Sequence, residues 1–281
     1  MLFVSGERPD RFAKALLSGA DLVCIDLEDA VHPEHKAAAR AAAFEFVAQA
    51  GASQPLAVRI NGLRTLDGLQ DVLAWARSGA RARYVLLPKT ESAAEMALLQ
   101  SWLGDRVQGL VALLETPQGM EAAASIARER MLGAPALAAL MLGGADLSAE
   151  LGAQFGWAGL LHARGQLVQA ARLTGLQTWD VPHIHLHDSE ALQRETEQVR
   201  QLGFDCKTAI HPSQIPVIHA GMADSPADVQ GALDLLTALQ AHPGQGRGAF
   251  VFQGKMVDAP LIRRAQRIAE RHHAALSQSV N

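Results

Sequence analysis

LVALLETPQG, residues 110–119, is a short apolar run of strand character that stops on a single carboxylate, Glu115. About thirty residues later the pattern recurs, where ALAALMLGG (136–144) runs into Asp146. Two strand-like segments thus deliver two acids to one end of one sheet. Two hard oxygen ligands with little else around them suit a magnesium ion that keeps open positions for water and substrate. Acids are also favoured at helix N-termini, so capping competes with ligation and the rest of the chain has to decide.

Outward from this stretch the chain alternates with a regular beat. LFVS (2–5) precedes the helical DRFAKALLSG, and LVCIDLE (22–28) precedes the alanine-rich KAAARAAAFEFVAQAG. LAVRIN (56–61) pairs with LDGLQDVLAWARSG, and YVLLPK (84–89) with SAAEMALLQSWLG, for which Ser92 is an N-cap. GLVALLE with GMEAAASIARE is the fifth pair, and ALAALMLGG with GLLHARGQLVQAARLTG the sixth. Between strand and helix of the sixth lies ADLSAELGAQFGW, long enough to be an active-site loop. QTWDVPH with SEALQRETEQVRQLG and CKTAIH with SPADVQGALDLLTALQ complete eight. Eight alternations are what a closed (β/α)8 barrel of the α/β class needs, over residues 1–242. An extension, 243–281, carries Asp258 and ends in LIRRAQRIAERHHAALSQ, with Leu261, Ile262, Ala265, Ile268 and Ala269 at helical spacing.

At 281 residues the length suits such a barrel, which takes about 250. Hydrophobic residues at 49% against 19% charged exclude a disordered chain. A net charge of -4, with Lys and Arg scattered among acids, argues against nucleic acid and anionic membrane as partners and for a small molecule. No signal-like N-terminus or membrane-length apolar run is present, so the expected location is the cytoplasm. Cys24 and Cys206 lie in or beside apolar runs and are read as buried thiols.

Catalytic groups of such barrels sit at the C-terminal ends of the strands. Those ends carry Ser5 and Gly6, Asp26 with Glu28 and Asp29, Arg59 with Asn61, Lys89, Glu115, Asp146, Asp180 and His211. Capping accounts for part of this, but Arg59 and Lys89 end apolar runs and require anionic partners. Mg²⁺ on Glu115 and Asp146 would accept a chelating 2-oxo or 2-hydroxy carboxylate, with Arg59 donating to the same developing charge. Three other motifs carry less. GQGRGAFVFQGKM fails the phosphate-loop pattern at Ala249 and Met256. The HIHLH run places His183, His185 and His187 at period two, a possible zinc hydrolase site without further ligands, against which stands a plain loop. ALLQSWL and the tryptophans are read as core.

FVSGERPDRFAKAL (3–16), CIDLEDAV (24–31), VRINGL (58–63), LLPKTESA (86–93), ALLETPQG (112–119), GGADLSAELG (143–152), AIHPSQI (209–215) and GKMVDAP (254–260) together resemble the citrate lyase beta-subunit family, in order along nearly the whole chain. The resemblance implies a Mg²⁺-dependent lyase that splits citryl-, malyl- or citramalyl-type thioesters into acetyl thioester and a 2-oxo acid. It implies Mg²⁺ on Glu115 and Asp146, Arg59 on the oxo acid, and Asp258 supplied by a neighbouring subunit for proton transfer, within a homotrimer or a multiple of one. Glu28 joins Arg59 and Asp258 as a catalytic candidate, while Asp26 and Lys89 join Arg59 and Glu115 as substrate-binding candidates. Arg8, Lys14, Lys36 and His211 are candidates for coenzyme A. HARG (162–165) and PHIHLH (182–187) depart from the relatives' pattern, leaving the substrate open, as is an acyl carrier protein in place of coenzyme A. The rival reading is a silent binding protein for CoA esters or oxo acids on the same scaffold.

Overall fold

The computed structural model describes residues 1–128, 135–241 and 249–279, those after 272 by backbone only. Eight parallel strands pair in sequence order: β1 (Leu2–Ser5), β2 (Val23–Asp26), β3 (Leu56–Arg59), β4 (Ala82–Leu87), β5 (Val107–Leu114), β6 (Ala136–Leu142), β7 (Gln177–Asp180) and β8 (Cys206–Lys207). The ring closes through a parallel bridge between Leu2 and Ala209, where Phe3 N–H donates to Ala209 O at 2.9 Å and Ala209 N–H to Met1 O at 2.8 Å. The expected (β/α)8 barrel is the fold observed.

Strand periodicity sorts the side chains into two cores. Val23, Ile25, Val58, Val85, Leu110 and Leu140 face the surrounding helices. Cys24, Ala57, Leu86, Val111, Leu113, Met141 and Trp179 fill the barrel interior. A side chain two positions on points the same way, so Asp26 stands above Cys24, Arg59 above Ala57 and Glu115 above Leu113, at the C-terminal mouth of the interior. Asp180 follows the inward Trp179 and therefore points outward. It belongs with the helices rather than with the other strand-end acids.

Local signals hold where they were strong. Ser92 caps helix Ala93–Leu103 in a capping box with Glu95, an arrangement of about 1 kcal/mol. Two readings change. The helix after β8 is Ile215–Met222, only eight residues long and begun by the turn Pro212–Gln214, whereas Pro226–Ala241 lies in a second compact unit. In ALLQSWL only Leu99 and Leu103 are fully buried. Leu98 and Trp102 are 44% and 37% exposed on the barrel's outer surface, so the stripe is not wholly core. Cys24 is buried, Cys206 partly so, and both are free thiols.

The compact units are Met1–Met222 and Ala223–Asn281. The second contains the helices Pro226–Ala241 and Ala259–Ser279 and a hairpin of β9 (Phe250–Phe252) and β10 (Lys255–Val257). Gln253 and Gly254 both have positive φ, +50° and +74°, as a two-residue hairpin turn of this hand requires. Leu235, Phe250, Val257, Ile262, Ala265 and Ile268 form the unit's own core. The boundary expected at 242/243, and the glycine-rich start of GQGRGAFVFQGKM, lie outside the described residues. Among the described residues no helix is long and apolar enough to cross a membrane.

Candidate active site

Four acids and two cations converge at the mouth of the barrel. Arg59, at the end of β3, donates through Nε to Asp26 Oδ1 at 2.7 Å and through Nη2 to Asp26 Oδ2 at 2.5 Å, while its Nη1 lies 2.9 Å from Glu28 Oε2. Lys89, just past β4, places Nζ 2.6 Å from Glu28 Oε1, 2.8 Å from Asp146 Oδ2 and 3.8 Å from Glu115 Oε1. Both cations thus meet the anionic partners their apolar strands demand. Behind Arg59 a buried network holds the end of β3. Asp71 accepts from the Asn61 backbone N–H and Nδ2, at 2.8 and 2.7 Å, and pairs with Arg40.

Neither metal candidate is explained by capping alone. Glu115 is buried, and its Oε1 accepts from the backbone N–H of Lys89 at 2.8 Å across the sheet. Asp146 lies in the first turn of helix Gly144–Glu150, yet its Oδ2 is a buried oxygen that faces Lys89 without a well-directed hydrogen bond, as Glu28 Oε2 faces Arg59. Gly143 makes room for the Glu115 side chain, since a Cβ there would fall 2.2 Å from Glu115 Oε2. Asp26, Glu28, Glu115 and Asp146 against Arg59 and Lys89 leave a formal excess of two negative charges, which one divalent cation would neutralise. Hard carboxylate oxygens with buried, poorly satisfied valences fit Mg²⁺. Among the described residues no three His, Cys, Asp or Glu side chains form a cage, so water and substrate would complete the coordination.

The same excess shows in proton affinity. Burial, then the Glu28 charge, push the Glu115 carboxyl up to about 8 against the opposing pull of Lys89 and Arg59. Burial likewise raises Glu28. The folded chain therefore holds the Glu115 proton more tightly than the unfolded chain, whose glutamates titrate near 4.5. Stability of the metal-free protein should fall as pH rises from about 4.5 towards about 8, because between these values the native state binds more protons. Glu115→Gln should flatten this slope. Thermal unfolding in EDTA across that range checks it, and an identical slope in the variant would contradict the assignment.

The remaining candidates are placed less centrally. Arg8 is exposed and pairs with Asp10 at 2.9 Å, and Lys14 is exposed on helix Phe12–Leu16. Lys36 donates to the carbonyls of Leu27 and Glu28 at 2.8 and 2.6 Å and to Asn61 Oδ1 at 2.7 Å, which makes it a brace under the acid cluster. His211 caps the turn Pro212–Gln214 beside Ser213. Asp258 belongs to the second unit, partly exposed, where its Oδ1 accepts from Leu261 N–H at the start of helix Ala259–Ser279.

Sequence reasoning missed a second ionic cluster, outside the barrel wall. Lys207 Nζ donates to Asp180 Oδ2 at 2.7 Å and Glu195 Oε1 at 2.6 Å, and Arg164 Nε donates to Asp180 Oδ1 at 2.8 Å. His183 Nδ1 lies 2.9 Å from Glu195 Oε2. The HIHLH run is a loop after β7, with His183 drawn into this cluster and His185 exposed. The available signal was a lysine in a two-residue strand and the outward parity of Asp180.

Comparison with known proteins agrees with this geometry. The model of the HpcH/HpaI aldolase/citrate lyase family matches residues 1–212, which include every residue of the acid cluster, and a model described as C-C bond lyase of the TIM-barrel fold matches 166–274. Citrate lyase subunit beta of Leuconostoc mesenteroides subsp. cremoris is 33% identical, over 95% of this chain and 91% of its own. The (3S)-malyl-CoA thioesterase of Cereibacter sphaeroides is 34% identical, over 92% and 88%. The crystal structure of CitE from Mycobacterium tuberculosis, in complex with magnesium, acetoacetate and coenzyme A, superposes with a TM-score of 0.81 at 35% identity, covering 96% of each chain. With a family model matching residues 1–212 and relatives a third identical along nearly the whole chain, the fold and the comparisons lead to one conclusion: the chain belongs to the HpcH/HpaI aldolase/citrate lyase family.

Proposed function

We propose that this protein is a Mg²⁺-dependent carbon–carbon lyase that cleaves, or in reverse forms, a 3-hydroxy-3-carboxyl acyl thioester such as citryl-, malyl- or citramalyl-CoA, giving acetyl-CoA and a 2-oxo acid. The observation that carries this reading is the acid cluster itself, formally two negative charges in excess, with Glu115 buried in it and Asp146 at its more exposed edge. Those two carboxylates would hold Mg²⁺. When bound, the ion supplies Lewis acidity towards the substrate's hydroxyl, or product oxo, oxygen.

In the lytic direction the bond between the carbinol carbon and the thioester α-carbon breaks. The carbinol loses its hydroxyl proton and becomes the 2-oxo group, and the electron pair left on the α-carbon takes up a proton to give the acetyl thioester. Glu28, raised by burial and set between Arg59 and Lys89, is suited to receive the hydroxyl proton. Arg59, fixed from behind by Asp26, donates to the substrate's oxygens as charge develops. Lys89 adds positive charge towards the substrate carboxylate. Asp258 of a second copy moves the proton at the acetyl carbon, which makes the active unit a homo-oligomer, a trimer or a multiple of one. Arg8, Lys14 and His211 are proposed contacts for coenzyme A, with Lys36 bracing the cluster. The location proposed is the cytoplasm.

Mass spectrometry of the protein with Mg²⁺ and a panel of malyl-, citramalyl- and citryl-CoA tests the reading. Acetyl-CoA and a 2-oxo acid in equal amounts are expected from one ester, lost in EDTA and in Asp258→Ala. Free coenzyme A with intact hydroxy acid would instead mean thioester hydrolysis, the activity named for the Cereibacter relative. No turnover of any ester, with turnover of the same acyl groups on an acyl carrier protein, would move the substrate to the carrier. Co-expression of Asp146→Asn with Asp258→Ala, each inactive alone, should restore activity if Asp258 acts across subunits.

A further inference from the structure

Lys89 is the one residue of the acid cluster held in a strained backbone. Its φ is +50°, in the left-handed region that a side chain other than glycine enters at a cost. This conformation turns its backbone N–H onto Glu115 Oε1 at 2.8 Å and sends its ammonium back over the same acids. Nζ lies 2.6 Å from Glu28, 2.8 Å from Asp146, 3.7 Å from Asp29 and 3.8 Å from Glu115. One monovalent cation is therefore in contact with Asp146 and Glu28 and lies within 4 Å of Glu115 and Asp29, so it faces both carboxylates that would hold the divalent one.

Resting on the Mg²⁺ reading above, we infer that Lys89 is the counter-cation of the acid cluster in the metal-free protein, a positioning residue that holds Glu115 and Asp146 in place and would yield Asp146 to Mg²⁺ while keeping Glu28. Two cations cannot share the Asp146 oxygen at hydrogen-bonding distance, because like charges a few ångströms apart repel strongly in a partly buried site. With Asp146 given over to the dication, the ammonium would keep Glu28, 2.6 Å away, and Asp29, 3.7 Å away. The exchange keeps the cluster assembled without metal. It also weakens metal binding, since the dication must displace one charge and then tolerate it nearby. An anionic substrate offsets that residual charge, so metal and substrate favour each other's binding.

The test is equilibrium binding of Mg²⁺ alone by calorimetry, with Mn²⁺ followed by electron paramagnetic resonance as a second probe, on metal-stripped wild type, Lys89→Met and Lys89→Arg. Lys89→Met keeps the length of the side chain and removes its charge. It should bind both ions at least about tenfold more tightly than wild type in the absence of substrate, because a unit charge close to the ion is gone. Its metal-free form should unfold at lower temperature, with added Mg²⁺ restoring the loss. Lys89→Arg should bind like wild type, showing that charge rather than packing is responsible. Equal or weaker binding by a folded Lys89→Met protein would overturn the inference and leave the Mg²⁺ reading standing. Failure of all three proteins to bind either ion would overturn both.

Discussion

Asp146→Asn is expected to lower kcat for thioester cleavage by at least about 10³-fold, roughly 4 kcal/mol of transition-state stabilisation. The substitution is nearly isosteric and the side chain is about a third exposed, at 37%, so the barrel should fold unchanged. What disappears is one of the two anionic ligands proposed for Mg²⁺. A neutral amide oxygen on a cation already opposed by Arg59 and Lys89 leaves the ion too weakly held to polarise the reacting oxygen. A binding readout separates this from a merely damaged site. At about a hundredfold excess over Kd, a bound ligand stabilises the native state by about 2.7 kcal/mol. Wild type should therefore gain several degrees in Tm on adding Mg²⁺, and Asp146→Asn should gain none. A variant that kept both the Mg²⁺-induced shift and full turnover would remove Asp146 from the metal site.

That Asp146 and Glu115 stand out in the sequence follows from strand geometry. An apolar run long enough to be a buried strand shows where it ends, and in a parallel barrel every strand ends on the same face. Arg59 and Lys89 were legible for a related reason, being charges that an apolar strand does not tolerate unpaired. Their partners were not. Nothing in the spacing of residues 28, 89 and 146 says that one ammonium joins Glu28 to Asp146, because that contact depends on the left-handed turn at Lys89. The eighth unit was legible only in outline, since β8 is two residues long and its helix only eight, too short to stand out beside the sixteen-residue Pro226–Ala241. Asp180 shows the opposite case. It sits at a strand end as Glu115 does, but one step out of phase with the inward Trp179, and the phase sends it to the helices.

Lys207→Met should accordingly be among the most destabilising single substitutions in the barrel, at a cost of about 3–5 kcal/mol. Lys207, Asp180 and Arg164 are almost wholly removed from solvent. Burial raises the Asp180 carboxyl, but Lys207 and then Arg164 more than offset it and hold the group below the usual carboxylate range. Methionine fills the lysine's volume, so the loss is electrostatic. Asp180 and Glu195 would then have Arg164 as their one shared cation, with His183 Nδ1 still 2.9 Å from Glu195 Oε2. For a chain of this size the loss corresponds to a fall in Tm of about 10 °C. A depressed acid contributes stability above its unfolded pKa and loses it as pH falls through the folded value. The deficit of Lys207→Met should therefore be largest at neutral pH and shrink in acid, where the orphaned carboxylate takes up a proton. Combining it with Asp180→Asn should cost less than the two changes summed, since each removes the partner that makes the other expensive. Strict additivity, or a Tm within about 2 °C of wild type, would mean that packing rather than this charge cluster joins β7 to β8. The same strands carry the loops with His183 and His211 to the catalytic face, so a loosened cluster should also raise the KM for the acyl-CoA substrate before it lowers kcat.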